Sequence, residues 1–389
     1  MDPTTGAPSR RELPLAFTAS GSEYFRIWIV NLLLTVVTLG LYLPFAKARR
    51  LRYFYANTLV DDQPLAFHGD PWTMFRGHLV VVGFGAAYFL SGKFVPELAF
   101  ALVLAFMLLW PALWRSSLVF RLRNTSWRGI RFGFTGSLGG AYKCFLPWLG
   151  LVLAIALFGA LAAGFGNLGA PAAASVALVV TLVLGFYALA FVAAAMTWLW
   201  LKRYQHGSYR IAQQQGELRM SLGDLLRLGL KALGLTLLAL TVGVLLISAL
   251  LWMAGSAGNS GSRSLWVNLG PVLGMLLLYA VLLFTWGPYV GARLQDLLWS
   301  GTRSRQLRFR SRLSARALAW LTLKNWLLII ITLGLYRPFA VVATTRLRLQ
   351  AVRIGLLGEM DGWFGEAAAA QEHAIGEMGG DFFGFDVGL

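Results

Sequence analysis

Apolar runs of about 20 residues, the length that crosses the hydrocarbon core of a bilayer, recur from end to end of this 389-residue chain. They lie near 24–46, 75–91, 94–114, 141–164, 171–201, 224–256, 264–299 and 316–340. Lipid supplies no hydrogen bonds to the backbone, so each run that enters it is driven into helix. Charged residues make up 13% of the chain, about half the roughly 25% of a soluble domain. The fold class expected is an all-α polytopic membrane protein with six to eight membrane helices in hairpins.

The links between the runs alternate in character. Those at 91–97, 165–170 and 256–264 are short and carry only Lys93 and Arg263 as basic residues. Those at 47–74, 115–140, 202–223 and 293–316 are long and hold twenty Lys and Arg, which the positive-inside rule places in the cytoplasm. The net charge of +17 is therefore read as topological. It suits anionic lipid headgroups at the cytoplasmic face, and with no recognised binding motif it does not suggest nucleic acid. One cysteine, Cys144, leaves no intrachain disulfide and no paired-cysteine metal site. The start SRRELPLAF (9–17) lacks an apolar core directly behind its arginines, so the N-terminus is expected to be cytoplasmic and uncleaved.

Counting spans exposes a conflict at both ends. Single crossings at 24–46 and 316–340 put both termini outside, yet Arg10, Arg11, Arg346, Arg348 and Arg353 flank those segments on the far side. These two segments carry almost the same phrase, TLGLYLPFA at 38–46 and TLGLYRPFA at 332–340. Gly40 and Gly334 permit unusual backbone, and Pro44 and Pro338 remove a donor and disfavour helix just before them. Two readings stand: two broken, re-entrant segments bracketing six spans, or eight spans of which two are kinked.

A second pattern runs through the polar links. LAF at 15–17 and 65–67, IRF at 130–132, LRM at 218–220 and LRF at 307–309 each precede an apolar run. The longer pair PLAFTASGSEYF (14–25) and PLAFHGDPWTMF (64–75) shares five positions. Alternation of this kind is that of a half-buried strand, so five short cytoplasmic strands, each leading into a helix, are expected. The resulting division is a cytoplasmic segment at 1–23 containing one strand, a single membrane domain at 24–353, and a loosely ordered tail at 354–389. The tail has seven acids and no Lys or Arg after Arg353.

Reactive groups do not converge. His68, His78, His206 and His373 have no metal-ligand spacing, and no nucleotide-binding or hydrolase motif is present. No catalytic residue, cofactor or metal is assigned, and the chain is not expected to be an enzyme. Asp61-Asp62 reads as a turn. Ionisable or polar groups inside a bundle mark transport paths, and here they come in pairs. Asn31 and Asn325 stand seven residues before each Thr-Leu-Gly, and Arg337 replaces Leu43 of the first copy. Broken helices at corresponding positions point to a transport site, so Asn31, Asn325 and Arg337 form a candidate intramembrane polar site. The structural alternative gives each Asn the backbone groups freed by its own break. Gly270/Gly274 and Gly287/Gly291 read as close helix packing.

The stretch 21–69, through Tyr24-Phe25, Asn31, Thr38-Leu39-Gly40, Tyr42, Pro44, Arg52-Tyr53 and Tyr55-Ala56-Asn57, resembles the N-terminal signature of the YjgN-like family of bacterial inner-membrane proteins. NTSWRGIRFGFTGS (124–137) resembles that family's second block. The resemblance implies a multi-pass inner-membrane protein of unknown function and transfers no catalytic residue. Two functions remain open. The first is a permease or channel for a small solute or lipid. The second is a non-catalytic scaffold that binds anionic lipid or a partner through its basic cytoplasmic face. The oligomeric state is unassigned.

Overall fold

The computed structural model describes residues 10–167, 172–256 and 287–357, with isolated positions between 269 and 286. The acidic tail and the link at 257–268 lie outside the described residues. The chain forms two units. One contains residues up to 222, with 301–309 and those from 353 on; the other contains 223–300 and 310–352.

The first unit is built on one repeated local plan. A short strand ends, two residues follow, and a side-chain cap opens a helix. β1 (Arg10–Leu13) runs through Pro14 into β2 (Leu15–Phe17), and Ser20 caps α1 (Gly21–Val37) by accepting from the Glu23 amide at 3.2 Å. The chain then turns at 38–42 into α2 (Leu43–Ala56) and returns as β3 (Thr58–Val60). β4 (Gln63–Phe67) leads through the Asp70 cap into α3 (Pro71–Phe94), α4 (Pro96–Arg123) and the return strand β5 (Thr125–Trp127). β6 (Ile130–Phe134) leads through the Ser137 cap into α5 (Leu138–Lys143), α6 (Leu146–Asn167), α7 (Ala172–Ser208) and the return strand β7 (Tyr209–Ile211). β8 (Gln214–Gln215) and β9 (Glu217–Leu218) follow. β10 (Thr302–Arg303), β11 (Leu307–Ser311) and β12 (Val352–Leu357) complete the strands.

Between plans the chain reverses in tight turns. Asp61-Asp62 and Arg128-Gly129 both have positive φ at their two central positions, the geometry whose twist matches that of paired strands. The carboxylate of Asp61 receives Arg11 of β1 at 2.8 Å and Arg128 of the next turn at 2.5 Å, so Asp61 ties its turn to β1 and to the Arg128-Gly129 turn.

The strands pair in sequence order β2-β3-β4-β5-β6-β7-β8 in one sheet and β1-β12-β11-β10-β9 in the other. The sheets are joined at both edges by the chain itself, at Pro14 between β1 and β2 and at Gly216 between β8 and β9. A Cβ on Gly216 would collide with the His206 carbonyl, so the corner admits only glycine without a shift. Closure leaves no long open edge to template further pairing. Inside lie Leu13, Trp127, Ile130, Ile211, Leu307, Ile354 and Leu356, while Arg131, Arg210, Arg308 and Arg353 alternate with them outward. Of the five strands expected from sequence, the triplets at 15–17, 65–67, 130–132 and 307–309 lie in β2, β4, β6 and β11, while of LRM at 218–220 only Leu218 is in a strand, at the end of β9. The strands that return from each helical excursion were not anticipated.

Helices α3, α4, α6 with the preceding α5, and α7 have the length and apolar composition to cross a membrane. In the second unit α8 (Leu222–Ser256) does so too, making five such helices among the described residues. α9 (Gly287–Gly301), α10 (Ala315–Ile331) and α11 (Arg337–Gln350) complete that unit. A Cβ on Gly274 would run into the Ile247 side chain, as expected of a close helix contact; Gly270 lies outside the described residues. The segments 24–46 and 316–340 are not single helices. Each is the first arm and turn of a helical hairpin whose second arm, α2 or α11, runs on through the basic link.

Candidate functional site

The two TLGLYxPFA phrases fold alike, bond for bond. After α1, the amides of Leu39, Gly40 and Leu41 donate to the carbonyls of Val36, Thr35 and Thr38 at 3.1, 2.8 and 3.1 Å, and Leu43 donates to Gly40 at 3.1 Å. After α10, Leu333, Gly334 and Leu335 donate to Ile330, Ile329 and Thr332 at 3.1, 2.7 and 3.0 Å, and Arg337 donates to Gly334 at 3.1 Å. The first two bonds of each set make the Schellman pattern that closes a helix C-terminus.

Thr38 supplies what the backbone cannot. Its hydroxyl donates to Leu34 O at 2.7 Å and accepts from the Tyr42 amide at 3.0 Å. Thr332 does the same with Leu328 O at 2.6 Å and the Tyr336 amide at 3.0 Å. The groups freed by each break are thus satisfied by threonine, where asparagine was the sequence expectation. Pro44 and Pro338 then sit in the first turn of α2 and α11, where a missing amide costs nothing. Tyr42 stacks on Phe45 and Tyr336 on Phe339, with centroids 5.5 and 5.4 Å apart.

The left-handed position in each turn is occupied by leucine. Leu39 and Leu333 both have φ of 49°, followed by Gly40 at 92° and Gly334 at 95°. Left-handed backbone costs a residue other than glycine roughly 1–2 kcal/mol. Neither side chain recovers that cost within the chain, since both are 94% exposed.

Asn31 and Asn325 are buried, 8% and 5% exposed, in different units, and each is described within its own hairpin. Asn325 Nδ2 reaches across to α11, donating to Ala340 O at 3.4 Å and Thr344 Oγ1 at 3.3 Å. The Oδ1 atoms of both asparagines are buried without a protein partner among the described residues. Arg337, at the start of α11, is exposed.

The basic residues of the long links divide into two groups. Arg52 Nη2 donates to Gly69 O at 3.0 Å, Arg115 Nε to Gly136 O at 2.7 Å and Arg203 Nη2 to Met220 O at 2.7 Å. Each of those carbonyls directly precedes the residue before the next helix, so these arginines lock one helical excursion to the start of the next. Asparagines close the excursions in the same spirit: Asn57 and Asn124 donate to Tyr53 O and Phe120 O at 2.9 and 2.8 Å. Arg49 and Arg50 in the middle of α2, Arg76 in the second turn of α3 and Lys143 at the end of α5 are exposed instead. Sequence reading saw all of these as topological charge and missed the locks.

His68 Nε2 meets Ser126 Oγ at 2.8 Å and His206 Nδ1 meets Thr302 Oγ1 at 2.8 Å. Among the described residues no three His, Cys, Asp or Glu side chains converge to hold a metal; His373 lies outside them.

Residues 12–382 match the family described as "Bacterial protein of unknown function (DUF898)". The chain is 33% identical over 150 residues to the inner membrane protein YjgN of Salmonella typhimurium, covering 37% of this chain and 36% of the relative. It is 35% identical over 136 residues to the protein of the same name from Escherichia coli O157:H7, 34% of each chain. The matched part therefore spans about a third of the length of these relatives. No solved structure matches the chain.

Proposed function

This chain belongs to the DUF898 family of bacterial proteins, and from that premise we propose that it is a non-catalytic membrane scaffold. It is a multi-pass protein of the bacterial inner membrane. The observation that carries the scaffold reading is the closed two-sheet barrel of the first unit. Helical excursions leave and re-enter it, and Arg52, Arg115 and Arg203 fasten them in place. A protein built to hold its membrane elements to a rigid soluble body invests its hydrogen bonds in this way.

In this reading the barrel and long basic links face the cytoplasm. The α1–α2 and α10–α11 hairpins are re-entrant from that side, and the helices between them cross. The pairing of β2 with β3, register Leu15↔Val60 to Phe17↔Thr58, supports the first point, since both feet of the α1–α2 hairpin stand on adjacent strands. Arg49, Arg50, Arg76 and Lys143 then lie at headgroup depth, where each basic residue near an anionic surface contributes about 1 kcal/mol.

Two measurements test this. With Cys144→Ser, single cysteines at Thr5 and Gly376 should react with a membrane-impermeant thiol reagent only after the membrane is opened. Purified protein should be stabilised against heat by phosphatidylglycerol more than by phosphatidylcholine, and Arg49→Gln with Arg50→Gln should shrink the difference. Equal stabilisation by both lipids sinks the anionic-lipid function. The permease reading keeps one observation in its favour, the unpaired buried Oδ1 of Asn31 and of Asn325. Solute flux into proteoliposomes that is lost on Asn31→Leu would establish it.

A further inference from the structure

The turns of the two hairpins are finished in a way that water does not require. From Thr38 to Leu43 every backbone amide has a partner inside the turn, and so has every amide from Thr332 to Arg337. A turn exposed to water can leave such donors to solvent, whereas a turn in lipid cannot. The exposed side chains agree. Val36, Val37, Leu39, Leu41 and Leu43 crowd the first tip, and Leu39 holds a backbone conformation that glycine or asparagine would adopt more readily. Exposed apolar patches of this kind mark a partner.

Length and charge say which partner. The apolar part of α1 from Ile27 to Val37 rises roughly 16 Å at about 1.5 Å per residue, half of the ~30 Å hydrocarbon thickness. On the returning arm Lys47 arrives four residues after Leu43, followed by Arg49 and Arg50. The arginine heads lie beside the rings of Tyr42 and Phe54, 5.8 Å from each centroid. Such side chains lay their stems along apolar surface and keep the charge at the headgroups, which stops the hairpin from sinking further.

We infer that the α1–α2 hairpin is a one-leaflet wedge that binds curved membrane, its Leu39 tip occupying the acyl-chain region of the leaflet next to the barrel. The α10–α11 hairpin, with the same turn and an equally exposed Leu333, has the same chemistry. The inference rests on the re-entrant reading above. A body inserted to half depth adds area to one leaflet alone, so its insertion is favoured where that leaflet is stretched. Curvature sensitivity of this kind is established for apolar elements buried at the headgroup boundary.

The test uses the full chain in vesicles from which narrow tubes are drawn, with depth read separately. A nitroxide on Leu39→Cys, in the Cys144→Ser background, should sit near the bilayer centre by its exposure to oxygen over a polar relaxant. Fluorescently tagged protein should be enriched severalfold on tubes curved toward the barrel side, relative to the flat parent membrane. Leu39→Asn with Leu333→Asn suits the left-handed turn and should fold, yet should lose that enrichment. A central label with no enrichment overturns the wedge and leaves the re-entrant hairpin standing. A label that reaches the far aqueous phase overturns both.

Discussion

The first and last helical hairpins share a turn to within 0.1 Å in its hydrogen bonds, yet they distribute charge in opposite senses. In the first, the incoming arm is uncharged from Ile27 to the tip, while the returning arm meets Lys47 eight residues after Leu39. In the last, Lys324 stands nine residues before Leu333, and apart from Arg337 the returning arm is uncharged until Arg346. Backbone geometry is thus fixed by nine residues, and the way each hairpin meets a lipid surface is set by what flanks them. The first hairpin should lie deepest along α1, the last along α11.

The comparison breaks most readily at the turn itself. Gly40→Val and Gly334→Val place a β-branched residue at φ of 92° and 95°, where strain costs about 1–3 kcal/mol. Space is not the obstacle, because nothing meets a Cβ at Gly334 within 4 Å. Both variants should lower the midpoint of thermal unfolding in detergent, and by similar amounts. A large inequality would mean that the turns are not equivalent. Next in size is a predicted asymmetry. Asn325→Leu breaks two bonds to α11, costing about 1 kcal/mol each in net terms. Asn31→Leu also removes a buried unpaired Oδ1, but its amide makes no matching bond among those described. It should be close to neutral in the same unfolding measurement.

What could be read from sequence follows from how locally each feature is determined. Strands β2, β4, β6 and β11 were legible because a recurring triplet of an aliphatic residue, any residue and Phe (LAF, LAF, IRF, LRF) stands just before a cap and an apolar run. Their return partners, such as Thr58–Val60 and Thr125–Trp127, are three residues long and owe their state to pairing, which no window of sequence contains. Helices α1 and α10 end at the Thr38 and Thr332 caps, two residues before Gly40 and Gly334. Pro44 and Pro338 were read as breakers, although each opens a new helix, so α2 and α11 went unseen inside links judged by charge alone. The Arg52, Arg115 and Arg203 locks reach carbonyls 17 to 21 residues away, and only the folded barrel brings those together. At the candidate site the asparagines were singled out, while Thr38 and Thr332, inside the repeated phrase itself, do the capping.

Smaller effects sharpen the comparison at the hairpin feet. Ser20 and Ser314 cap α1 and α10 through bonds of 3.2 and 3.3 Å to the Glu23 and Ala317 amides. Ser→Ala at either should cost about 1 kcal/mol, equally in the two hairpins, by the same thermal measurement. Equal costs would confine the difference between the hairpins to their tips and arms.

The smallest stability change belongs to the one residue by which the two phrases differ. Arg337 is exposed and opens α11, so Arg337→Leu should move stability by no more than about 0.5 kcal/mol. Its effect should show in position instead. A guanidinium four residues past Leu333 has to reach headgroups or water, which holds the last tip nearer the surface than the first. Spin labels at Leu333→Cys should therefore report a shallower depth than at Leu39→Cys. Arg337→Leu should deepen the former, and Leu43→Arg should raise the latter. If neither substitution moves its label, the arms rather than the tips set the depth, and the opposite placement of Lys47 and Lys324 becomes the controlling difference.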